Sequence, residues 1–252
     1  MLQILVYGDS LSWGINPGTR ERHRFGVRWP TVMECKLNAG CASNQSPGDS
    51  GWTPEAVPKG AKAEFASHAT RAEADRPARD SNNIRVLEDC LNGRRTVFDD
   101  PFLPGRNGLN ELGQIIEKHS PLGLVIVMLG TNDFQSMHPH NAWHASRGMA
   151  RVVKTIREAP IEPGMPVPPV LIMCPPAISR PAGTIAPKFA GGELKCVGLA
   201  SAYRALAEEL SCHFFDAGTV VTASDVDGVH LDAPAHVALG ERMAEVVRPL
   251  LS

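Results

Sequence analysis

Four short polar groups along this 252-residue chain carry the residue types of acyl transfer. Ser10 directly follows the apolar run Leu2–Tyr7. A serine hydroxyl becomes an effective nucleophile only when a neighbouring imidazole takes its proton. His230 is a candidate for that base, and Asp227, three residues earlier, for the carboxylate that orients it. A three-residue spacing in a tight turn lets one loop present both. Asn132 offers a side-chain amide and Gly93 a backbone N–H with no side chain in its way, which suits both to an oxyanion. Each residue also has a plainer reading. Ser10 has the residue type of a helix cap, Asp227 and His230 of a surface loop, and Asn132 and Gly93 of turns. The inventory gains weight because each group falls after its own apolar run.

Those runs are the elements that must position the chemistry. Leu2–Tyr7, Ile84–Leu87, Leu122–Leu129, Val170–Cys174 and His213–Phe215 read as strands. The first, third and fourth are almost continuously apolar, as in strands buried on both faces. Between them lie stretches with helical spacing: Trp29, Met33 and Leu37; Leu109, Leu112 and Ile116; Met149, Val153 and Ile156; Leu199, Leu206 and Leu210; and Leu239, Met243, Val246 and Leu250. Asn107, Asn141 and Asp232 stand where N-caps belong. The alternation predicts an α/β domain with a parallel sheet between two helix layers. In such a sheet ligands bind beyond the carboxyl ends of the strands, where all four polar groups would gather.

Composition narrows the remaining classes. The chain is 43 % apolar with a net charge of −2, so it lacks the basic excess that nucleic-acid or anionic-membrane binding requires. No apolar run approaches the ~20 residues that span a bilayer. The first residues do not read as a secretory leader, so we expect a cytoplasmic protein with reduced, structural cysteines at 35, 41, 90, 174, 196 and 212. None of the six forms a Cys-x-x-Cys pair, and no metal site is expected. His138, His140 and His144 cluster in a Pro/Asn-rich loop, which reads as solvated loop rather than metal site. Arg94, Arg95 and Arg106 read as surface arginines, with steering of anionic substrates as the alternative. The nucleophile-elbow, phosphate-loop and His-Glu-x-x-His motifs are absent.

One stretch interrupts the rhythm. Residues 41–83 contain no Leu, Ile or Met, and Pro and Gly punctuate their first half. They cannot bury enough to fold alone and read as an insertion: a lid, a subunit contact or an inert excursion. Gly48-Asp49-Ser50 within it follows no apolar run, so Ser50 receives no catalytic role.

Taken in order, Gly8-Asp9-Ser10-Leu11, Gly93, Gly130-Thr131-Asn132-Asp133 and Asp227-Gly228-Val229-His230 resemble the blocks of the SGNH hydrolases, the GDSL esterase superfamily. The stretches Gly8–Gly14, Asn92–Asp100, Gly130–Phe134 and Phe214–Leu231 are most similar to the bacterial arylesterase/acyltransferase subgroup, some members of which perform perhydrolysis. The likeness covers residues 1 to about 40 and about 84 to the end. It implies a three-layer, flavodoxin-like single domain over 1–252, with five parallel strands in the order 2-1-3-4-5. It implies Ser10 as nucleophile and first oxyanion N–H donor, Gly93 and Asn132 as the other donors, and His230 and Asp227 as base and orienting acid. Trp13 matches an aromatic residue bordering the acyl pocket, which favours short acyl chains; a core tryptophan is its other reading. The implied activity is hydrolysis of short-chain acyl or aryl esters without a cofactor. Acyl transfer to an alcohol or peroxide, and carbohydrate acetyl esterase activity, are the alternatives. The implied partner is a small-molecule ester, and the subgroup suggests a homo-oligomer. A non-catalytic binding module on the same fold would lack one of Ser10, Asn132 or His230, and all are present.

Overall fold

The computed structural model describes residues 1–38 and 83–251. The expected insertion, save Asn83, and Ser50 within it lie outside the described residues. The elements alternate as the apolar pattern predicts. In order they are β1 (Leu2–Gly8), α1 (Ser10–Trp13), α2 (Trp29–Leu37), β2 (Ile84–Cys90), α3 (Leu112–His119) and β3 (Leu124–Met128). There follow α4 (Ala142–Arg157), β4 (Val170–Cys174), α5 (Ala186–Phe189), α6 (Gly192–Lys195), α7 (Leu199–Glu209), β5 (His213–Asp216) and α8 (Ala233–Val247).

All strand pairs are parallel, in the order β2-β1-β3-β4-β5. Period-two alternation sends successive strand residues to opposite faces. Ile4, Val6, Ile126, Met128 and Met173 pack on one face with Trp29, Met33 and Leu37 of α2 and Leu239, Met243 and Val247 of α8. Leu5, Tyr7, Val125, Val127 and Ile172 pack on the other with Ile116 of α3, Met149, Val153 and Ile156 of α4, and Tyr203 and Leu206 of α7. Burying each large aliphatic side chain stabilises the fold by about 1.5–3 kcal/mol.

Register fixes where the chemistry sits. Gly8 pairs with Cys90 on one side and Met128 on the other, so β1, β2 and β3 end level. The loops that follow them leave from one edge.

Two local expectations need correction. Asn141 and Asp232 cap α4 and α8 through their side-chain oxygens, but Asn107 caps nothing. Its Oδ1 accepts from Leu109 N and its Nδ2 donates to the Val97 carbonyl, which makes a turn; α3 begins five residues later, after Glu111 in the left-handed region. The third strand is shorter than its apolar run, because Leu122 and Gly123 precede the ladder.

Candidate active site

Ser10 opens α1 immediately after β1. Asp9 caps that helix, its Oδ1 accepting from Leu11 N at 2.9 Å. The cap fixes the chain at the turn and holds the Ser10 side chain, 5 % exposed, at the sheet edge. His230 Nε2 lies 3.0 Å from Ser10 Oγ, and His230 Nδ1 lies 2.6 Å from Asp227 Oδ2. Asp227 Oδ1 accepts from the backbone N–H groups of Val229 and His230, both at 2.9 Å. One carboxylate thus shapes the turn with one oxygen and orients the imidazole with the other. Burial pushes the Asp227 carboxyl up, but the hydrogen bonds from His230 and the adjacent N–H groups outweigh it and hold the group below the usual carboxylate range. The arrangement matches a nucleophile, base and orienting acid in hydrogen-bond sequence.

The candidate donors come from the loops after β2 and β3. Gly93 follows β2 with φ +82, in the left-handed region that glycine adopts without strain. Neither its N–H nor that of Ser10 donates to an acceptor among the described residues. Asn132 lies in the turn after β3, 3 % exposed. Its Nδ2 donates to Asp9 Oδ2 at 3.0 Å and, over a longer 3.2 Å, to the Arg94 carbonyl. Its Oδ1 accepts from Gln135 Nε2 at 2.7 Å. The amide is therefore held on both sides, with the bond to the Arg94 carbonyl the longer of its two N–H bonds.

The sequence reading missed the residues that hold these donors. Asp9 was visible only as a member of its block. It is fully buried, which pushes its carboxyl up to about 7 against the hydrogen bonds from Leu11 and Asn132. Asp133 is likewise pushed up to about 6 by burial; it accepts from Thr96 N–H and Thr96 Oγ. Gly148 of α4 leaves the room that Thr96 needs, since a Cβ there would meet the Thr96 hydroxyl.

Arg94 and Arg95 are not surface arginines. Arg94 is buried against the Tyr7 ring, 3.9 Å from its centroid, and binds Asp89 and the Gly8 carbonyl. Arg95 is fully buried. Arg106 lies half-buried with its aliphatic stem beside Gly93. The histidines do not form a solvated loop. His138 accepts from Arg95 Nε, His140 stacks on Phe98, and His144 completes the α4 capping box. Among the described residues no group of three His, Cys, Asp or Glu is placed to hold a metal ion. Trp13 ends α1, half-buried beneath the Arg22 guanidinium, which also donates to the Trp13 carbonyl. Burial raises the thiols of Cys90, Cys174, Cys196 and Cys212 above their ordinary value, so they are poor nucleophiles. A separate cavity of about 530 Å³ beyond β4 and β5, lined by Pro176, Val197 and Asp216, contains none of the candidate residues.

Known proteins share this architecture. The model of the GDSL-like lipase/acylhydrolase family matches residues 50–238. Ser10 lies outside that stretch and Ser50 inside it. The chain is similar to the inhibitor-bound aryl esterase of M. smegmatis, with 30 % identity, a TM-score of 0.79 and full coverage of both chains. It is similar to a carbohydrate acetylesterase family member from Sinorhizobium meliloti, with 32 % identity, a TM-score of 0.79, and 100 % and 99 % coverage. It is also similar to a putative arylesterase from Agrobacterium tumefaciens, with 35 % identity, a TM-score of 0.76 and full coverage of both. A comparison with curated proteins finds no match.

Proposed function

Since the chain belongs to the GDSL-like lipase/acylhydrolase family and is a carboxylic ester hydrolase, we propose that Ser10, His230 and Asp227 are its catalytic triad. The observation that carries this reading is the unbroken hydrogen-bond sequence from Ser10 Oγ through His230 to Asp227.

In the first step His230 Nε2 takes the Ser10 proton as Oγ bonds to the acyl carbonyl carbon. The carbonyl oxygen becomes an oxyanion facing the Ser10 N–H, the Gly93 N–H and Asn132 Nδ2. Each such donor contributes on the order of 10²–10³ in rate. Asp227 Oδ2 holds the Nδ1 proton, so that Nε2 is the free base and the imidazolium is stabilised once formed. His230 then protonates the departing alkoxide. Water attacks the resulting acyl-Ser10 ester with His230 again as base, and the acid leaves.

We take short-chain acyl or aryl esters as the substrates, with Trp13 bordering the acyl pocket at the far end of α1. The carbohydrate acetylesterase relatives from S. meliloti favour acetyl as the acyl group and admit a sugar as the leaving alcohol. A serine-directed phosphonate should add covalently to the protein, and peptide mass spectrometry should place the adduct on Ser10. An adduct on Ser50, or none while the enzyme is inhibited, would overturn the assignment. Added alcohol tests for acyl transfer: an ester product that grows with alcohol concentration identifies a transferase, and acid alone identifies a hydrolase.

A further inference from the structure

We propose that Arg95 is a positioning residue that holds both distal arms of the oxyanion site, the Gly93 loop and the Asn132 side chain, in one geometry. The inference rests on the assignment of Gly93 and Asn132 as oxyanion donors. Those two groups come from different loops, after β2 and β3, and β1 separates the two strands in the sheet. Pairing through β1 sets where the two loops begin, but the turn of the Gly93 loop and the orientation of the Asn132 side chain beyond the ladder depend on side chains.

Arg95 reaches both. It is fully buried, and all five of its N–H donors have acceptors. Nη1 donates to the Gly93 carbonyl at 3.3 Å and pairs with Asp100 Oδ2 at 2.9 Å. Nη2 donates to Gln135 Oε1 at 2.6 Å and to Met137 Sδ at 3.7 Å, and Nε donates to His138 Nε2 at 2.8 Å. Gln135 passes the constraint on, because its Nε2 donates to Asn132 Oδ1. The guanidinium is thus one bond from the Gly93 carbonyl, on the other side of the Gly93 Cα from its N–H, and two bonds from the Asn132 amide.

The rigid fork matters here. A lysine keeps the charge but presents its donors from a single nitrogen and cannot span Gly93, Asp100, Gln135 and His138 together. Asp100 offsets the cation, and two backbone N–H groups hold Asp100 in turn, from Phe102 and Leu103. A buried arginine serving only to tie down its loop would need Asp100 and the carbonyl. The contact to Gln135, 40 residues away, is the one that connects it to Asn132.

Interactions realised only in the transition state lower kcat and kcat/KM together and leave KM unchanged. The experiment is a mutant cycle on p-nitrophenyl acetate hydrolysis, with melting temperatures to confirm folding. Gln135→Met should lower kcat about tenfold with KM within about twofold, since a displaced catalytic group costs rate steeply. In an Asn132→Ala background the same Gln135→Met change should cost less than about twofold, because its route to the oxyanion is gone. Arg95→Lys should lower kcat in both backgrounds, less in the second, since its Gly93 arm remains. An equal loss from Gln135→Met in both backgrounds, or no loss in either, overturns the proposal. Unchanged kcat in folded Arg95→Lys also overturns it, and if Arg95→Lys fails to fold, Arg95→Gln in the same two backgrounds takes its place. Ser10→Ala assayed in parallel separates the two failures. Full activity there sinks the triad, whereas an inactive Ser10→Ala beside fully active Gln135→Met sinks only the positioning role.

Discussion

The Asn132 side chain is held 3.0 Å from the Asp9 carboxylate, 123 residues away in the chain. Asp9 also caps the helix that begins with Ser10, so one buried carboxylate holds both the helix of the proposed nucleophile and the proposed oxyanion donor. Asp9→Asn keeps the cap acceptor but places an amide against the Asn132 amide. We expect kcat to fall by about tenfold or more, read with p-nitrophenyl acetate. Unchanged kcat would remove Asp9 from the account.

The same carboxylate makes a prediction about stability. Its folded value of about 7 lies above the ~3.9 of an unfolded aspartate. Between those values the folded chain binds the extra proton, so the contribution of Asp9 is fully present below pH ~3.9 and is lost as pH rises through 7. Asp133, at about 6, acts in the same direction. Asp9→Asn removes one of the two terms. Relative to that variant, the wild-type melting temperature should be higher at pH 4.5 than at pH 7.5; parallel profiles would contradict it.

These links show what the sequence could and could not reveal. Ser10, Gly93 and Asn132 stood out as candidates because each lies just after a strand, and parallel strands bring their ends together; Asp227–His230 stood out by their spacing, 11 residues beyond β5. The supports were not. Arg95, Gln135 and Asp100 meet across 40 residues of chain, and nothing local distinguishes a buried arginine from a surface one. Asn107 read as a cap because its residue type suits a cap and a turn equally, and only its partner at Val97 decides. The fold class was legible from periodicity, whereas the start of the third strand was not, since Leu122 is buried outside the ladder much as its neighbours are within it.

Asp227→Asn tests the orienting acid. The substituted side chain still accepts from the Val229 and His230 N–H groups, so the turn should persist. An amide facing His230 Nδ1 favours the wrong tautomer, and kcat should fall on the order of 10³–10⁴. A loss under tenfold in initial-rate assays would show that Asp227 does not orient the base.

Gly228→Ala tests the turn that carries both residues. Gly228 has φ +74, and a Cβ there would run into the Arg180 carbonyl. Its own N–H donates to the Ser224 carbonyl, and its carbonyl accepts from Ser179 N. The substitution should lower both the melting temperature and kcat, the latter at least tenfold as Asp227 and His230 shift. Gly164→Ala is the control: φ is +89 but no atom lies within 4 Å of its Cβ, so it should cost about 1–2 kcal/mol of stability and leave kcat unchanged. Equal kcat in the two variants would contradict the role given to the 227–230 turn.

The most direct test of the central claim is kcat/KM for p-nitrophenyl acetate in wild type, Ser10→Ala and Ser50→Ala, each verified as folded by its melting temperature. With Ser10 as the nucleophile, Ser10→Ala loses at least about 10³-fold and Ser50→Ala matches wild type. Full activity in Ser10→Ala, or its loss in Ser50→Ala alone, would contradict the account.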